Sequence, residues 1–355
     1  MKVLLPFLCL LSTFIGVDAR ACDMLTIAAV GDIMMGTTWP EEMLPPRDGD
    51  GIYDNVLEGL RNADIVFGNL EGPLLDGGEG IKCGRKKRGK NLCFEFRTPA
   101  RYVRHLQTAG FNVLNVANNH SFDFGPEGVE NTILALDNTG VRATGGENVA
   151  VFCIKSKLVA VAGFSYSPLS SHSFPIQDPA EAAEFIGGLK EGHDLVIVSF
   201  HGGSEGKDAM RVPDGDEIFA GTNRGNVVRF ARAAIDAGAD LVLGHGPHVP
   251  RALELYKGKL IAYSLGNFLT YGRFNIQGPS GVSLVLRAGI DLETGNFVGG
   301  AIVPVELRER GIPFIDKDGK AVNLIRELTG SRGFPSGLVI EEDGKIVPAS
   351  VKDDE

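Results

Sequence analysis

Short apolar runs, each opened by Asp or Asn and closed by a polar side chain, recur along this chain of 355 residues. They begin at Asp64, Asn112, Asp194 and Asp240, and an earlier run ends at Asp32. In the first three, the closing residues Glu71, Asn119 and His201 lie seven positions after the opening residue. Continuous apolar runs of about four to eight residues are typical of strands covered on both faces. The pattern therefore predicts a sheet whose strands deliver polar residues to one edge.

Helical segments are expected between these strands. Thr98-Pro99 is a typical helix start, and Gly110 is a typical stop for the segment that follows. Similar segments end at Gly140 and Gly238. Strands that alternate with helices indicate an α/β fold with helices layered over a sheet.

The last part of the chain has a different pattern. Residues 282–305 and 337–348 each read as a β-hairpin, with Glu293-Thr294-Gly295-Asn296 and Asp343-Gly344 as the turns. Only 322–328 between them is expected to be helical. No Pro- or Ser-rich linker interrupts the chain, so we predict one domain over 22–300 and a β-rich extension, 301–355, packed on it.

The N-terminus reads as a secretory signal over residues 1–21. Lys2 precedes an apolar run of 15 residues, and Ala19-Arg20-Ala21 is a small-x-small cleavage pattern. The run is shorter than the roughly 20 residues that a membrane span needs. We therefore expect an exported protein in the periplasm, at the cell surface or outside the cell. A retained N-terminal anchor and lipidation at Cys22 are the alternatives.

Composition and cysteine content narrow the partners and the compartment. The formal net charge of −10 argues against a broad nucleic-acid-binding face, which needs a basic footprint. Cys83 and Cys93 bracket the basic loop 84–90 and are the best disulfide candidates in an oxidising compartment, with reduced thiols as the alternative. A P-loop, a dinucleotide fingerprint and His-Glu-x-x-His are all missing from the sequence.

The residues that close the strands can carry chemistry, because ligands of open α/β sheets bind beyond the carboxyl ends of the strands. Four of the seven histidines fall there. The set is Asp32, Asn69, Glu71, Asn119, His120, His201, His245 and His248. Mixed carboxylate, carboxamide and imidazole ligands suit Mn, Fe or Zn. A bridging carboxylate can hold two such cations about 3.5–4 Å apart.

Six sequence blocks carry a resemblance to a known family. They are Gly31-Asp32-Ile33-Met34, Gly68-Asn69-Leu70-Glu71-Gly72, Asn115-Val-Ala-Asn-Asn-His120-Ser-Phe-Asp123, His201-Gly-Gly-Ser-Glu205, Gly244-His245-Gly-Pro-His248-Val249 and Tyr263-Ser-Leu-Gly-Asn267-Phe268. Over about residues 25–270 the chain resembles the bacterial poly-γ-glutamate capsule-synthesis (CapA-type) family, which has the calcineurin-like metallophosphoesterase fold. The resemblance implies a layered sandwich of mixed β-sheets flanked by helices.

The resemblance also implies roles for single residues. Asp32 and His248 look like ligands of one metal ion, and Glu71 looks like a carboxylate that bridges to a second. Asn119, His201 and His245 look like ligands of the second ion, and His120 resembles the catalytic histidine. Met34 stands where the wider phosphoesterase pattern has a metal-binding histidine.

Four further residues are candidates for contact with substrate. They are Asn69, Glu205, Arg251 and Asn267. Glu205 and Arg251 lie beside the metal-binding blocks and could contact an anionic substrate or form salt bridges. Asn267 could instead shape a turn beside the site.

Three functions are consistent with these features. The first is metal-dependent hydrolysis of a phosphoester or of a γ-glutamyl amide bond in an exported polymer. The second is a non-hydrolytic accessory role in capsule polymer synthesis or export, beside membrane-bound machinery of the kind that the resemblance implies. The third is a binding module that keeps the fold without metal.

Overall fold

A computed structural model describes residues 23–83, 93–272, 274–331 and 334–349. The predicted signal segment, Cys22 and the basic loop 84–90 lie outside these described residues. The strands, in chain order, are β1 (Met24–Met34), β2 (Ile65–Leu70), β3 (Val113–Asn115), β4 (Arg142–Thr144), β5 (Ala150–Ile154), β6 (Lys157–Ser165), β7 (Phe174–Pro175), β8 (Leu195–His201), β9 (Ile218–Phe219), β10 (Thr222–Asn223), β11 (Leu241–His245), β12 (Leu253–Tyr256), β13 (Lys259–Ala262), β14 (Asn267–Thr270), β15 (Val282–Asp291), β16 (Phe297–Arg308), β17 (Ile312–Ile315), β18 (Leu338–Ile340) and β19 (Lys345–Pro348). The α-helices are α1 (Leu57–Leu60), α2 (Val103–Ala109), α3 (Gly125–Asp137), α4 (Pro179–Gly192), α5 (Val227–Asp236) and α6 (Lys320–Thr329).

The strands form two large mixed sheets. The first has ten strands in the order β18-β19-β16-β15-β1-β2-β3-β4, with β14 paired to β1 and β17 to β16. The second has seven strands in the order β12-β13-β11-β8-β6-β5, with β7 paired to β6. Strands β1, β2, β3 and β4 run parallel, whereas β15 pairs antiparallel with β1, and β16 pairs antiparallel with β15. The predicted sandwich of mixed sheets is confirmed.

The two sheets pack face to face through apolar side chains. Alternate residues of β1, such as Leu25 and Ile27, point into this central core. Leu195 and Leu241 meet them from the second sheet. The intervening residues of β1, such as Ala28, face the outer helices instead. Because both faces of β1 are covered, its sequence from Leu25 to Val30 is apolar apart from Thr26.

Helices cover the two outer faces. Tyr102, just before α2, and Leu106 within it pack on the first sheet, and Ile186 of α4 and Phe230 of α5 pack on the second. The side chain of Asp178 caps the first turn of α4 by accepting hydrogen bonds from two backbone amides. Within the part of the chain that the structure describes, no helix is long and apolar enough to cross a membrane.

The predicted start of α2 needs a correction. Thr98 does not cap this helix: its hydroxyl donates to the carbonyl of Gly36 at 2.7 Å, and a 3-10 turn over Ala100–Tyr102 comes before α2. Gly110 ends the helix as predicted, with φ at 92°. The threonine is thus used to hold the loop after β1, a contact that local sequence could not predict.

The β-rich end completes the first sheet. Both predicted hairpins are present, as β15 with β16 and as β18 with β19, and α6 lies between them. Val322 and Ile325 of α6 join the core between the sheets. Strand β16 runs across residue 300, where the sequence suggested a boundary. The chain beyond residue 300 therefore extends the sheet and the core that the earlier part begins.

Replacing Gly31 by alanine is expected to destabilise the junction of β1 and β14. A Cβ at Gly31 would collide with the carbonyl oxygen of Gly266, which also accepts the amide hydrogen of Asp32 at 2.9 Å. We expect a loss of roughly 1–3 kcal/mol in the free energy of unfolding, measured by urea denaturation.

Gly188→Ala in α4 is the matched control. A Cβ at Gly188 meets no atom within 4 Å. This change is expected to leave stability unchanged, or to raise it by up to about 1 kcal/mol, because alanine favours a helix more than glycine does. Equal destabilisation by the two changes would contradict the prediction.

Candidate metal centre

Strand register brings the predicted residues into two facing rows. In the first sheet Asp32 is paired in register with both Asn69 and Asn267. In the second sheet His201 and His245 are neighbours on β8 and β11. All five residues are fully buried at the same end of the sandwich. The edge that the sequence predicts is thus formed by two sheets, not by one.

Asp32 and His248 form an ion pair at the centre of the site. His248 Nδ1 lies 2.9 Å from Asp32 Oδ2, and 3.1 Å from Asn267 Oδ1. Burial opposes the charge on each partner. The contact nevertheless lowers the pKa of Asp32 to about 2, and Glu71 and Asp32 together raise the pKa of His248 to about 10. His248 has φ at 58°, so its backbone is held in the strained left-handed region to aim the ring.

Glu71 is a buried carboxylate with open coordination. Neither of its oxygens has a hydrogen-bond partner among the described residues. Burial raises its pKa to about 8. His248 Nε2 lies 3.6 Å and His201 Nε2 3.9 Å from Glu71 Oε1. Ligand atoms of Asp32, Glu71 and His248 all lie within 4.8 Å of one another, which is a spacing that a single cation can bridge.

Two further predicted ligands have a buried atom that lacks a partner. The atoms are Asn119 Oδ1 and His201 Nε2, for which the described part of the chain supplies no hydrogen bond. A buried polar atom with no partner costs about 1–3 kcal/mol, so such groups are rare unless a ligand completes them. Together with Glu71, these residues fit divalent cations by donor type and by their unmet coordination.

His245 is oriented differently from the other predicted ligands. Its Nε2 is 3.1 Å from the backbone carbonyl of Val30 in the first sheet, and its Nδ1 is 3.4 Å from Ser199 Oγ. The ring therefore links β11 to β1 across the sandwich. Both ring nitrogens of His245 therefore contact atoms of the protein itself.

Asn69 positions two of the predicted ligands. Its Nδ2 donates to Asp32 Oδ1 at 2.8 Å and lies 3.2 Å from His201 Nδ1. Its Oδ1 accepts hydrogen bonds from Asn115 and Asn118. Asn69 thus orients ligands from both sheets. The sequence proposal singled out neither Asn115 nor Asn118 for a role, although both lie in the block that contains His120.

His120 contacts Asp123 and Lys82, a group of three of which His120 and Asp123 are buried and Lys82 is exposed. Its Nδ1 is 2.7 Å from Asp123 Oδ2 and 3.2 Å from Lys82 Nζ, and Lys82 also lies 3.2 Å from Asp123 Oδ1. Burial lowers the pKa of His120, against the effect of Asp123. Cys83, which follows Lys82, forms a disulfide with Cys93, the pairing that the sequence favours.

The remaining substrate-binding candidates make contacts within the protein. Arg251 is fully buried and forms a bidentate ion pair with Glu217 at 2.8 and 2.9 Å. Glu205 pairs with Arg224 at 2.7 Å. Asn267 holds His248 and donates to the carbonyl of Ser280. Of the alternatives that the sequence left open, salt bridges describe the present contacts of Glu205 and Arg251.

Met34 does not replace the missing histidine ligand. Its Sδ accepts a hydrogen bond from the backbone amide of Gly36 at 3.2 Å. The side chain is buried at the end of β1. The first cation position therefore depends on Asp32, Glu71 and His248.

Ser204 lies in a Gly-x-Ser-x-Gly sequence, from Gly202 to Gly206, that would suggest a serine nucleophile. That reading needs a strand, a sharp turn and a helix in succession. Here β8 leads instead to a 3-10 turn over Lys207–Ala209. The amide of Ser204 donates to Glu217, and its carbonyl accepts from Arg251. The segment is a loop fixed by the buried ion pair.

Comparisons with known proteins point to one family. Residues 26–271 match the model of the family described as bacterial capsule synthesis protein PGA_cap. The chain is 29% identical over 344 residues to "PGA biosynthesis protein CapA" of Bacillus subtilis, covering 91% of this chain and 82% of that one. It is 31% identical over 271 residues to "Capsule biosynthesis protein CapA" of Bacillus anthracis, covering 71% and 61%. It is 32% identical over 297 residues to "Probable polyglutamine synthesis accessory protein MT0602" of Mycobacterium tuberculosis, covering 69% and 74%.

Solved structures with similar folds include phosphoesterases. The calcineurin-like phosphoesterase YfkN of Bacillus subtilis has a TM-score of 0.45 and 14% identity, covering 86% of this chain and 96% of that one. A phosphatase of Mycoplasma pneumoniae has a TM-score of 0.46 and 16% identity, covering 85% and 99%. These likenesses concern the fold alone.

Replacing Arg251 by methionine is expected to destabilise the fold strongly. Glu217 would be left as an unpaired carboxylate with only 4% of its side chain exposed. The expected loss in the free energy of unfolding is about 3–5 kcal/mol, measured by denaturant titration.

The double change Arg251→Met with Glu217→Leu removes both charges. It should recover most of the loss, because a buried ion pair can be replaced by apolar side chains of similar volume at little cost. If Arg251→Met alone left the free energy of unfolding unchanged, the ion pair would not stabilise the fold.

Proposed function

This chain belongs to the bacterial capsule synthesis protein family, and we propose that it is a metal-dependent hydrolase of capsular or poly-γ-glutamate polymer metabolism. The bond that it cleaves is a phosphoester or a γ-glutamyl amide. The signal-like residues 1–21 support export, so the proposed place of action is outside the cytoplasm, next to the membrane-bound machinery that makes or exports the polymer. The relatives from the two Bacillus species are named for PGA biosynthesis and for capsule biosynthesis.

The observation that carries the proposal is that several of the predicted metal ligands have buried atoms without partners. Both oxygens of Glu71, together with His201 Nε2 and Asn119 Oδ1, are buried and unpaired within the described residues. Asp32 and His248 lie against the same carboxylate. A fold that needed these groups only for packing would satisfy them with hydrogen bonds. Divalent cations supply Lewis-acid chemistry, which polarises a phosphoryl or carbonyl oxygen for attack.

His120 is the proposed proton-transfer residue. Its Nδ1 is fixed by Asp123, so that Nε2 is the atom that can hold or release a proton. The ring is packed 4.5 Å from that of Phe96, which limits its motion. A histidine held in this way at the side of a hydrolytic site can protonate a leaving group or activate a nucleophile.

An accessory role without hydrolysis is the second candidate. Its support is the first cation position, where the Met34 sulfur accepts a hydrogen bond from Gly36 and the described residues supply three ligands, namely Asp32, Glu71 and His248. The relative from Mycobacterium tuberculosis is named as an accessory protein. In this case deletion of the gene would change the surface polymer, while the purified protein would hydrolyse neither phosphoesters nor γ-glutamyl peptides. An unaltered polymer in the deletion strain would count against it.

Metal content tests the first proposal directly. We expect about two Mn, Fe or Zn ions per chain, the number that a bridged pair holds. His201→Ala should lower this number, because His201 Nε2 faces the bridging Glu71 at 3.9 Å. The measurement is elemental mass spectrometry of the purified protein after reconstitution with each metal.

His193→Ala is the matched control for that measurement. His193 follows α4, where its Nδ1 contacts the carbonyl of Leu189, and no cation is expected there. The variant should keep the metal content of the unmodified protein. If the unmodified protein takes up no stoichiometric metal, the hydrolase proposal fails and the accessory role becomes the one to pursue.

The change His120→Ala tests the proton-transfer role. We expect kcat to fall by about 10²–10⁴-fold on p-nitrophenyl phosphate, bis-p-nitrophenyl phosphate or a γ-glutamyl peptide, whichever the protein cleaves. Metal content should stay unchanged. A fall in kcat at constant metal content then reports the loss of proton transfer, since the cations are still bound. His172→Ala is the control. The Nδ1 of His172 lies 2.9 Å from Asn148 Nδ2, and this change should leave kcat unchanged. Undiminished turnover by His120→Ala would remove this residue from the mechanism.

A further inference from the structure

Arg224 lies beside the candidate metal centre although no motif pointed to it. It follows the short hairpin of β9 and β10, and its carbonyl accepts the amide hydrogen of Gly203 at 2.9 Å. Gly203 is two residues after His201. The guanidinium carbon is 4.2 Å from the ring centre of Tyr166 and 5.1 Å from that of Phe219. Two aromatic rings therefore hold the charge of Arg224 in a fixed position.

The guanidinium of Arg224 has unmet hydrogen-bonding capacity. Only 7% of the residue is exposed. Its Nη1 is 2.7 Å from Glu205 Oε1, yet neither Nη1 nor Nε has an acceptor in hydrogen-bonding geometry within the described residues. Leaving charged donors buried and unbonded is costly, since a guanidinium favours paired, planar acceptors.

A second buried arginine, Arg251, has a structural role and serves as a comparison for Arg224. Arg251 donates to both oxygens of Glu217 and to the carbonyls of Ala209 and Ser204. Every contact of Arg251 is therefore internal. Arg224 differs because it has a counterion at contact distance without bidentate bonding, which leaves donors for a ligand.

Tyr166 connects Arg224 to the metal-binding residues. The Tyr166 ring stacks on that of His201 with centroids 6.1 Å apart, and Arg224 lies over the same Tyr166 ring. Glu205 is close enough to contribute to the raised pKa of Glu71, after burial and the nearer charges. The pair of Arg224 and Glu205 is thus part of the wall of the same site, on the His201 side.

We propose that Arg224 binds an oxyanion of the substrate on the His201 side of the site, where that oxyanion replaces Glu205 as the partner of the guanidinium. The inference rests on the proposed function in one respect, namely that the oxyanion belongs to the molecule bound at the metal centre. A carboxylate of a glutamyl unit and a phosphate group share the chemistry, since both accept paired hydrogen bonds from arginine. Glu205 keeps the guanidinium in place when no substrate is bound and disfavours weak anions.

Calorimetric titration of the full, metal-reconstituted protein tests the proposal without requiring turnover. Inorganic phosphate and γ-glutamylglutamate are the two probes, and the one that binds more tightly identifies the source of the oxyanion. Arg224→Gln should weaken that binding about 10- to 100-fold, as expected for the loss of a charge-assisted pair of hydrogen bonds. Metal content and the melting temperature are measured on the same samples.

Arg229→Gln is the matched control. Arg229 lies on α5 with 57% of its side chain exposed and faces Asp216 at 3.6 Å, so the same change in charge occurs away from the site. Probe binding should be unchanged in this variant. Tyr166→Phe keeps an aromatic face under the guanidinium and should also retain binding.

Glu205→Gln should change the affinity for the probe in the direction opposite to Arg224→Gln. Removal of the internal counterion should tighten binding of the same probe, whereas a merely structural ion pair would give weaker binding in both variants. Equal binding by Arg224→Gln and the unmodified protein, or failure of both probes to bind the unmodified protein, would overturn the proposal. Anion binding that depends on Arg224 without any hydrolysis would instead uphold this inference and remove only the hydrolase proposal.

Discussion

Two hydrogen-bonded contacts between the sheets, both within the buried end of the sandwich, hold the candidate site together. His245 reaches from β11 to the carbonyl of Val30 in β1, and Asn69 of β2 contacts His201 of β8. Apolar packing sets sheets about 10 Å apart but leaves their relative position loosely determined. Directional contacts at one end fix that position. The distances between Glu71 and the histidines of the second sheet depend on this registration.

The site is arranged at a cost to the folded state. A buried carboxylate without partners and a histidine at positive φ are both unfavourable. Neighbouring groups offset part of the cost: Asn69 and His248 satisfy Asp32, and Asn267 orients His248. Ligand atoms left without partners in this way are typical of sites that a cation completes. The free energy of cation binding then contributes to the stability of the folded state.

Two buried arginines illustrate how the same side chain serves different ends. Arg251 is fully bonded to Glu217 and to loop carbonyls, so it fixes the segment that follows β8. Arg224 is held by ring contacts and a single close carboxylate, and its donors stay available. The difference lies in hydrogen-bond geometry, and neither residue type nor burial alone would reveal it.

The sequence by itself determined the α/β layering, the hairpins at the end of the chain and the edge at which the polar residues gather. Local patterns suffice for these, because apolar runs and glycine stops act over neighbouring residues. It also singled out Asp32, Glu71 and His248, which lie in recognisable blocks at the ends of strands or in the loops that follow them. Only the tertiary structure decided that Asn69 orients ligands, that His245 links the sheets and that Arg224 reaches the site. These roles depend on contacts between residues distant in the chain, and their geometry is set when the two sheets pack together.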